Sequence, residues 1–403
     1  MPYERGEILR DTADDVAKLR VAWRIVERRQ REGTLFDLTG LTRSLDLGDT
    51  PPALLDDELA PALHGERLRE LALAHLGGDP GRDDVFVANR LTAAVVAAMQ
   101  VLVRPGATVL GVSAGYSHPC VGRAVRLAGG TLVDAVGAEA FRDRLAATAD
   151  ACAVVLTRLA VTYEALPEEE LDAVVAAARE RELPVFVDDA GGARVGPALL
   201  GQPRTLELGA EVGATGLDKY GTTGPRLGLL AGRRELVERV RARGTEVGLE
   251  ARPMLWPAVV RSLEAYRPER VRELAAATDA VGDALEARLG GVVTRTPVAV
   301  KLEGEDVLAN AAARAGVAQP PVVPVEATAA LAMVLLRDHG VLTVHFAALP
   351  PGTAALLLKF LPPETLARLG GPDALAAAVD VSLDEVGRLL RSPDELRALL
   401  GRT

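Results

Sequence analysis

A chain of 403 residues is longer than one ordinary hydrophobic core supports, so two or three domains are expected. Apolar residues at 49% and charged residues at 25% exclude a disordered or fibrous chain, and a net charge of -10 with interspersed signs offers no footprint for nucleic acid. Two cysteines, Cys120 and Cys152, make neither a disulfide framework nor a zinc site, and with no signal-peptide profile or membrane-length apolar run a cytoplasmic protein without a metal is expected.

Over residues 8–32, Leu9, Ala13, Val16, Leu19, Trp23 and Val26 recur every three or four positions among charged residues, which predicts an amphipathic helix that packs as an arm. A turn-rich stretch precedes a second helix over 54–76, ended by Gly77-Gly78. Short apolar runs then alternate with helical segments. Strands are expected at 85–88, 108–112, 131–136, 153–158 and 184–187, with helices over 91–103, 119–127, 138–147 and 168–180. This alternation argues for parallel βαβ units whose ligands gather beyond the carboxyl ends of the strands. After Gly232 come helices over 235–243 and 254–289, strands at 292–302, 342–346 and 355–361, a helix at 327–338, and a helical end over 373–400 broken near Ser392-Pro393. The expected parts are a helical arm, 1–50, packing with the small domain or a partner subunit, a large domain, 51–250, and a smaller α+β domain, 251–403.

Three segments carry chemistry. In Val185-Phe-Val-Asp188-Asp189-Ala190-Gly-Gly192 an apolar strand delivers Asp188 beside small residues, where a planar ring has room against the backbone. A carboxylate there can keep a pyridine nitrogen protonated, although aspartate in this position also caps turns. In Thr215-Gly-Leu-Asp218-Lys219-Tyr-Gly a lysine sits between two strand-like segments. Burial drives lysine toward its neutral, nucleophilic form, whereas a solvated loop would leave it inert. Only Lys18, Lys219, Lys301 and Lys359 occur, so arginine supplies almost every surface cation. In Ala88-Asn89-Arg90-Leu91-Thr92 a strand turns directly into a helix, and the first free N–H groups of that helix, with Arg90 and Thr92, suit a phosphate.

The order of these segments, with Tyr116-Ser-His118-Pro, Gly224 to Gly232 and Gly244-Thr245-Glu-Val-Gly248-Leu-Glu250, resembles an archaeal family of pyridoxal-phosphate proteins related to bacterial selenocysteine synthase, within the aspartate-aminotransferase fold. The likeness lies chiefly in residues 55–270. It implies an α/β large domain with a mostly parallel seven-stranded sheet, a smaller α+β C-terminal domain, and pyridoxal 5'-phosphate as cofactor. Lys219 would form the Schiff base, Asp188 would pair with the pyridine nitrogen, and His118 would lie against the ring. Asn89, Arg90, Leu91, Thr92, Thr157, Ala190 and Thr215 would complete the cofactor contacts. The family's serine three residues before the lysine is Gly216 here. Fold relatives that act on free amino acids hold the α-carboxylate with an arginine, where this chain has Leu358, so either Lys359 or Arg252 contacts the substrate instead, or the substrate has no such carboxylate. The resemblance implies a homodimer or higher homo-oligomer acting on an amine or amino-acid-like substrate. Elimination or replacement at the β-carbon is the favoured activity. Aminotransfer, decarboxylation, or a partner protein that has kept the cofactor and lost catalysis are the alternatives.

Overall fold

The computed structural model describes residues 3–346 and 349–402. The chain packs into two compact units, Thr42–Arg272 and Glu273–Thr403 joined by the N-terminal residues to Leu41. Residues 42–50 and 251–272 thus fold with the larger unit.

The larger unit is built on seven strands: β1 (Asp83–Ala88), β2 (Thr108–Ser113), β3 (Thr131–Val136), β4 (Ala151–Leu156), β5 (Val185–Asp188), β6 (Val212–Gly216) and β7 (Gly228–Arg233). Their order in space is β1-β7-β6-β5-β4-β2-β3. Every neighbouring pair is parallel except the two made by β7. Strands β4, β5 and β6 are buried along their whole length, as strands covered on both faces must be. Because side chains alternate along a strand, Val109, Val155 and Phe186 pack to one side with the helix Leu91–Leu102, while Leu110, Val154, Leu156 and Val187 pack to the other with the helices Gly137–Ala147 and Glu168–Glu180. Consequently β1, β2, β4, β5 and β6 all end on one edge of the sheet.

In the smaller unit, Thr294–Thr296, Ala299–Glu303 and Ala355–Lys359 form an antiparallel sheet with Ala299–Glu303 in the middle. Its centre is the helix Pro324–His339, buried at every residue from Val325 to Leu336, so that it is enclosed on all sides, with Glu326 and Thr328 the only polar residues of that stretch. The N-terminal segment docks on it through Glu326, whose carboxylate accepts from the Ile8 and Leu9 N–H groups at 2.7 and 2.8 Å. The helix Thr12–Arg31 follows, capped by the Asp11 side chain.

Several elements differ from expectation. The single helix over 254–289 is a 3₁₀ turn, Pro253–Leu255, and two helices, Trp256–Glu264 and Pro268–Leu289, because Pro268 has no N–H to continue the ladder. The strand over 292–302 is a hairpin turned at Pro297. Of the strand expected over 342–346 only Leu342 lies in a strand, Val341–Leu342, and Val344–Phe346 is a 3₁₀ turn. The helix Gly304–Ala315 was not anticipated.

Candidate functional site

The expected site residues of the larger unit fall mostly at the carboxyl ends of its parallel strands. β1 runs through Ala88 into exposed Asn89 and Arg90, and the helix Leu91–Leu102 begins at once. Arg90 occupies the N-cap without a side-chain cap, leaving the first-turn N–H groups to Leu91, Thr92 and Ala93 unmatched by capping. The start of β7 passes so close that a Cβ on Gly228 would lie 2.7 Å from the Arg90 carbonyl oxygen. Glycine is therefore required beside the helix N-terminus.

After β2 the chain reaches His118, the N-cap of the helix Pro119–Leu127, whose Nδ1 accepts from the Cys120 N–H at 3.1 Å. Burial, then the nearby Lys219 and Arg123 charges, push the His118 imidazole down to about 3. It is neutral at physiological pH, and since Nδ1 accepts, the proton is on Nε2. Thr157 follows β4, and its buried hydroxyl has no hydrogen-bond partner.

Asp188 is the last residue of β5 and is 2% exposed, with Oδ1 buried and unpartnered. Burial raises its carboxyl to about 6, Lys219 lowers it and Asp189 raises it. Asp189 is held elsewhere, by Arg158 at 2.7 Å and the Thr205 hydroxyl at 2.7 Å. Cys120 also faces the pair, its thiol pushed up to about 12 by burial and then Asp188.

Lys219 follows β6 in a turn clasped by Thr222, whose hydroxyl accepts from the Lys219 N–H at 3.2 Å and donates to its carbonyl oxygen at 2.7 Å. Burial pushes the amine below its ordinary value, against the pull of Asp218 and Asp188. A Cβ on Gly216 would lie 3.2 Å from Lys219 Cε. A side chain there would ask the flexible lysine to shift by only a few tenths of an ångström, so the structure does not explain the departure from serine. Thr215 and Ala190 are joined by a 3.2 Å bond from the threonine hydroxyl to the alanine carbonyl oxygen, and that hydroxyl also accepts from Arg194.

A cation cluster went unnoticed in the sequence. Arg226, seven residues beyond Lys219, is pushed down to about 10 by burial and then by Arg90 and Arg43, with Asp218 opposing. Arg43 donates to Asp218 at 3.2 Å. The Gly224-Pro-Arg226 sequence next to the lysine turn was the available signal. Of the two proposed substrate contacts, Arg252 is exposed and ion-paired with Asp57. Lys359 is in the smaller unit, where its buried Nζ donates to the Thr39 carbonyl oxygen at 3.1 Å.

Asp188 and Lys219 fit a pyridoxal ring: an unpartnered buried carboxylate lies within electrostatic reach of a lysine driven toward neutrality, and an uncapped helix start lies within reach of an arginine cluster.

No family model matches the chain. It is 31% identical over 358 residues to a UPF0425 pyridoxal phosphate-dependent protein of Methanothermobacter thermautotrophicus, covering 87% of this chain and 88% of that one. Among solved structures it is similar to alanine–glyoxylate aminotransferase from Nostoc sp., with a TM-score of 0.60, 14% identity and coverage of 87% and 95%. It is also similar to aspartate aminotransferase from Thermus thermophilus, with a TM-score of 0.58, 20% identity and coverage of 90% and 96%. The fold is that of aspartate aminotransferase and the cofactor is pyridoxal phosphate.

Proposed function

The chain belongs to the UPF0425 family of pyridoxal phosphate-dependent proteins, and on that premise we propose that it catalyses elimination or replacement at the β-carbon of an amino-acid-like substrate, with Lys219 carrying the cofactor. The observation behind this reading is the Asp188–Lys219 pair: a buried acid with an unsatisfied oxygen and an amine whose burial favours the neutral form. When bound, the cofactor supplies an electron sink for the charge left at the α-carbon of an amine. Asp188 would hold the ring-nitrogen proton. Arg90, Arg226 and the N–H groups of Leu91 and Thr92 would hold the phosphate, with Asn89, Thr157, Ala190 and Thr215 around the ring. Lys219, once free of the cofactor, takes the α-proton at Nζ. His118 offers its Nε2–H without acquiring charge. The resemblance of the sequence to a family related to selenocysteine synthase is what favours loss of a β-substituent as the next event.

Arg43 lies beside Arg226 and Asp218, and would meet a substrate carboxylate in exchange for its bond to Asp218, as exposed Arg252 would in exchange for Asp57. A homodimer accords with exposed Leu59, Leu63 and Met254, which the Arg252–Asp57 pair draws toward one region of the larger unit.

Borohydride reduction of the loaded protein, followed by peptide mass spectrometry, is expected to trap the cofactor on Lys219. Incubation with β-substituted amino acids is expected to release the substituent while the visible band is regenerated. Stoichiometric conversion of the cofactor to its amine form with keto-acid release would establish aminotransfer instead.

A further inference from the structure

A buried guanidinium supports the lysine turn and has no part in the reading above. Arg194 stands in the helix Gly192–Leu199, which follows Asp188, and is fully buried. Its Nη1 donates to Thr215 Oγ1 at 2.8 Å and its Nη2 to the Gly216 carbonyl oxygen at 2.5 Å. Its Nε has no partner, and among the described residues no carboxylate lies within ion-pair distance of it. Burying a cation without a counter-ion is costly, so a buried arginine that donates hydrogen bonds is normally ion-paired as well. Here both bonds go to the last two residues of β6, the second of them three positions before Lys219.

The surroundings tie the same two turns together. The Gly216 N–H donates to the Ala190 carbonyl oxygen at 3.4 Å, and the Thr215 hydroxyl donates to it at 3.2 Å. A Cβ on Gly191 would fall 2.1 Å from Tyr220 Cε2, so the Tyr220 ring lies directly against the glycine backbone. Tyr220 itself is left-handed, with φ of 45°, a conformation a tyrosine keeps only where its neighbours enforce it.

We propose that Arg194 is a positioning residue for Lys219: it fixes the turn carrying the lysine relative to Asp188 and sets an unpaired positive charge next to that turn. The charge disfavours a second cation on the lysine nitrogen, whether amine or cofactor-bound. Asp218, Asp188 and Cys120 act on Lys219 in the opposite sense, and His118 also faces it. The groups facing Arg194 are Tyr266, Asp218, Asp189, Tyr220 and His75, of which His75 is itself driven toward neutrality by burial and by Arg194.

The inference rests on Lys219 carrying the cofactor, and one titration separates the two. The visible band of the loaded wild-type protein is followed from pH 5 to pH 10, beside R194M and R194K. R194M is expected to raise the midpoint by about one pH unit, because it removes a like charge near the titrating nitrogen. R194K, which keeps the charge and loses the two-pronged bonding, is expected to hold the midpoint within about 0.3 pH unit while releasing cofactor several-fold faster. If wild type forms no visible band, the assignment of Lys219 fails. If wild type titrates and R194M shows the wild-type midpoint with only a lower melting temperature, Arg194 is merely structural and the inference is overturned. Should R194M not fold, R194K decides: wild-type release and midpoint together overturn it.

Discussion

Replacing Asp188 by asparagine is expected to stabilise the cofactor-free protein and weaken the loaded one. The carboxylate is 2% exposed with an unpartnered oxygen, and burial lifts it from 3.8 to about 6. A raised folded-state value means that its contribution to stability is fully present below about pH 4 and lost as pH rises through about 6. At about 1.4 kcal/mol per pH unit, that gap amounts to about 3 kcal/mol at neutral pH. Asparagine has nearly the same shape and no charge, so cofactor-free D188N should exceed wild type by up to about 3 kcal/mol at pH 8 and match it near pH 4. Loading reverses the sign: the proposed pairing with the ring nitrogen needs the charge, and losing a charged hydrogen bond costs about 1.5–3 kcal/mol. Urea unfolding of both proteins, with and without cofactor, at pH 4.5 and 8 measures both the pH dependence and the change of sign on loading. A cofactor-free variant less stable than wild type at pH 8 would refute the reasoning, as would a variant that keeps the wild-type pH slope.

Arg158→Met should cost about 3–5 kcal/mol in urea unfolding, because it strands the fully buried Asp189 carboxylate 2.7 Å from its lost partner, whereas R158M/D189L should recover most of the loss. A double variant as unstable as the single one would contradict this. Leu331→Ala, at the centre of the enclosed helix, should cost about 2–5 kcal/mol by calorimetry, and less than about 1 kcal/mol would mean that the helix is not packed as described. The His118 ring, held near 3, should show flat imidazole NMR shifts from pH 5 to pH 8, and a midpoint near 6.5 would place it in solvent.

What could be read in the sequence was short-range. Asp188 and Lys219 stand at the ends of apolar runs, so strand, charge and small neighbours sit within ten letters of each other. Most of the parallel strands were visible for the same reason, since full burial writes an unbroken apolar stretch. Arg194 escaped because its partners, Thr215 and the Gly216 carbonyl, lie more than twenty residues away, and one of them is backbone. Arg226 escaped among many arginines, its setting fixed by Arg43 and Arg90 from distant segments. Lys359 looked free to meet a substrate, yet its partner is a carbonyl 320 positions earlier. The break at Pro268 was a local signal overridden by the apolar rhythm on either side of it.

The Glu326 carboxylate joins residues 318 positions apart, and this orders events during synthesis. The opening helix leaves the ribosome long before its docking surface has been translated, and the helix that forms that surface is apolar from Val325 to Leu336 except for Glu326 and Thr328. Until the tail of the chain emerges, both ends are exposed to aggregation, so this unit should be the slow step in reaching the native state. The seven-stranded sheet, complete within Thr42–Arg272, can form first.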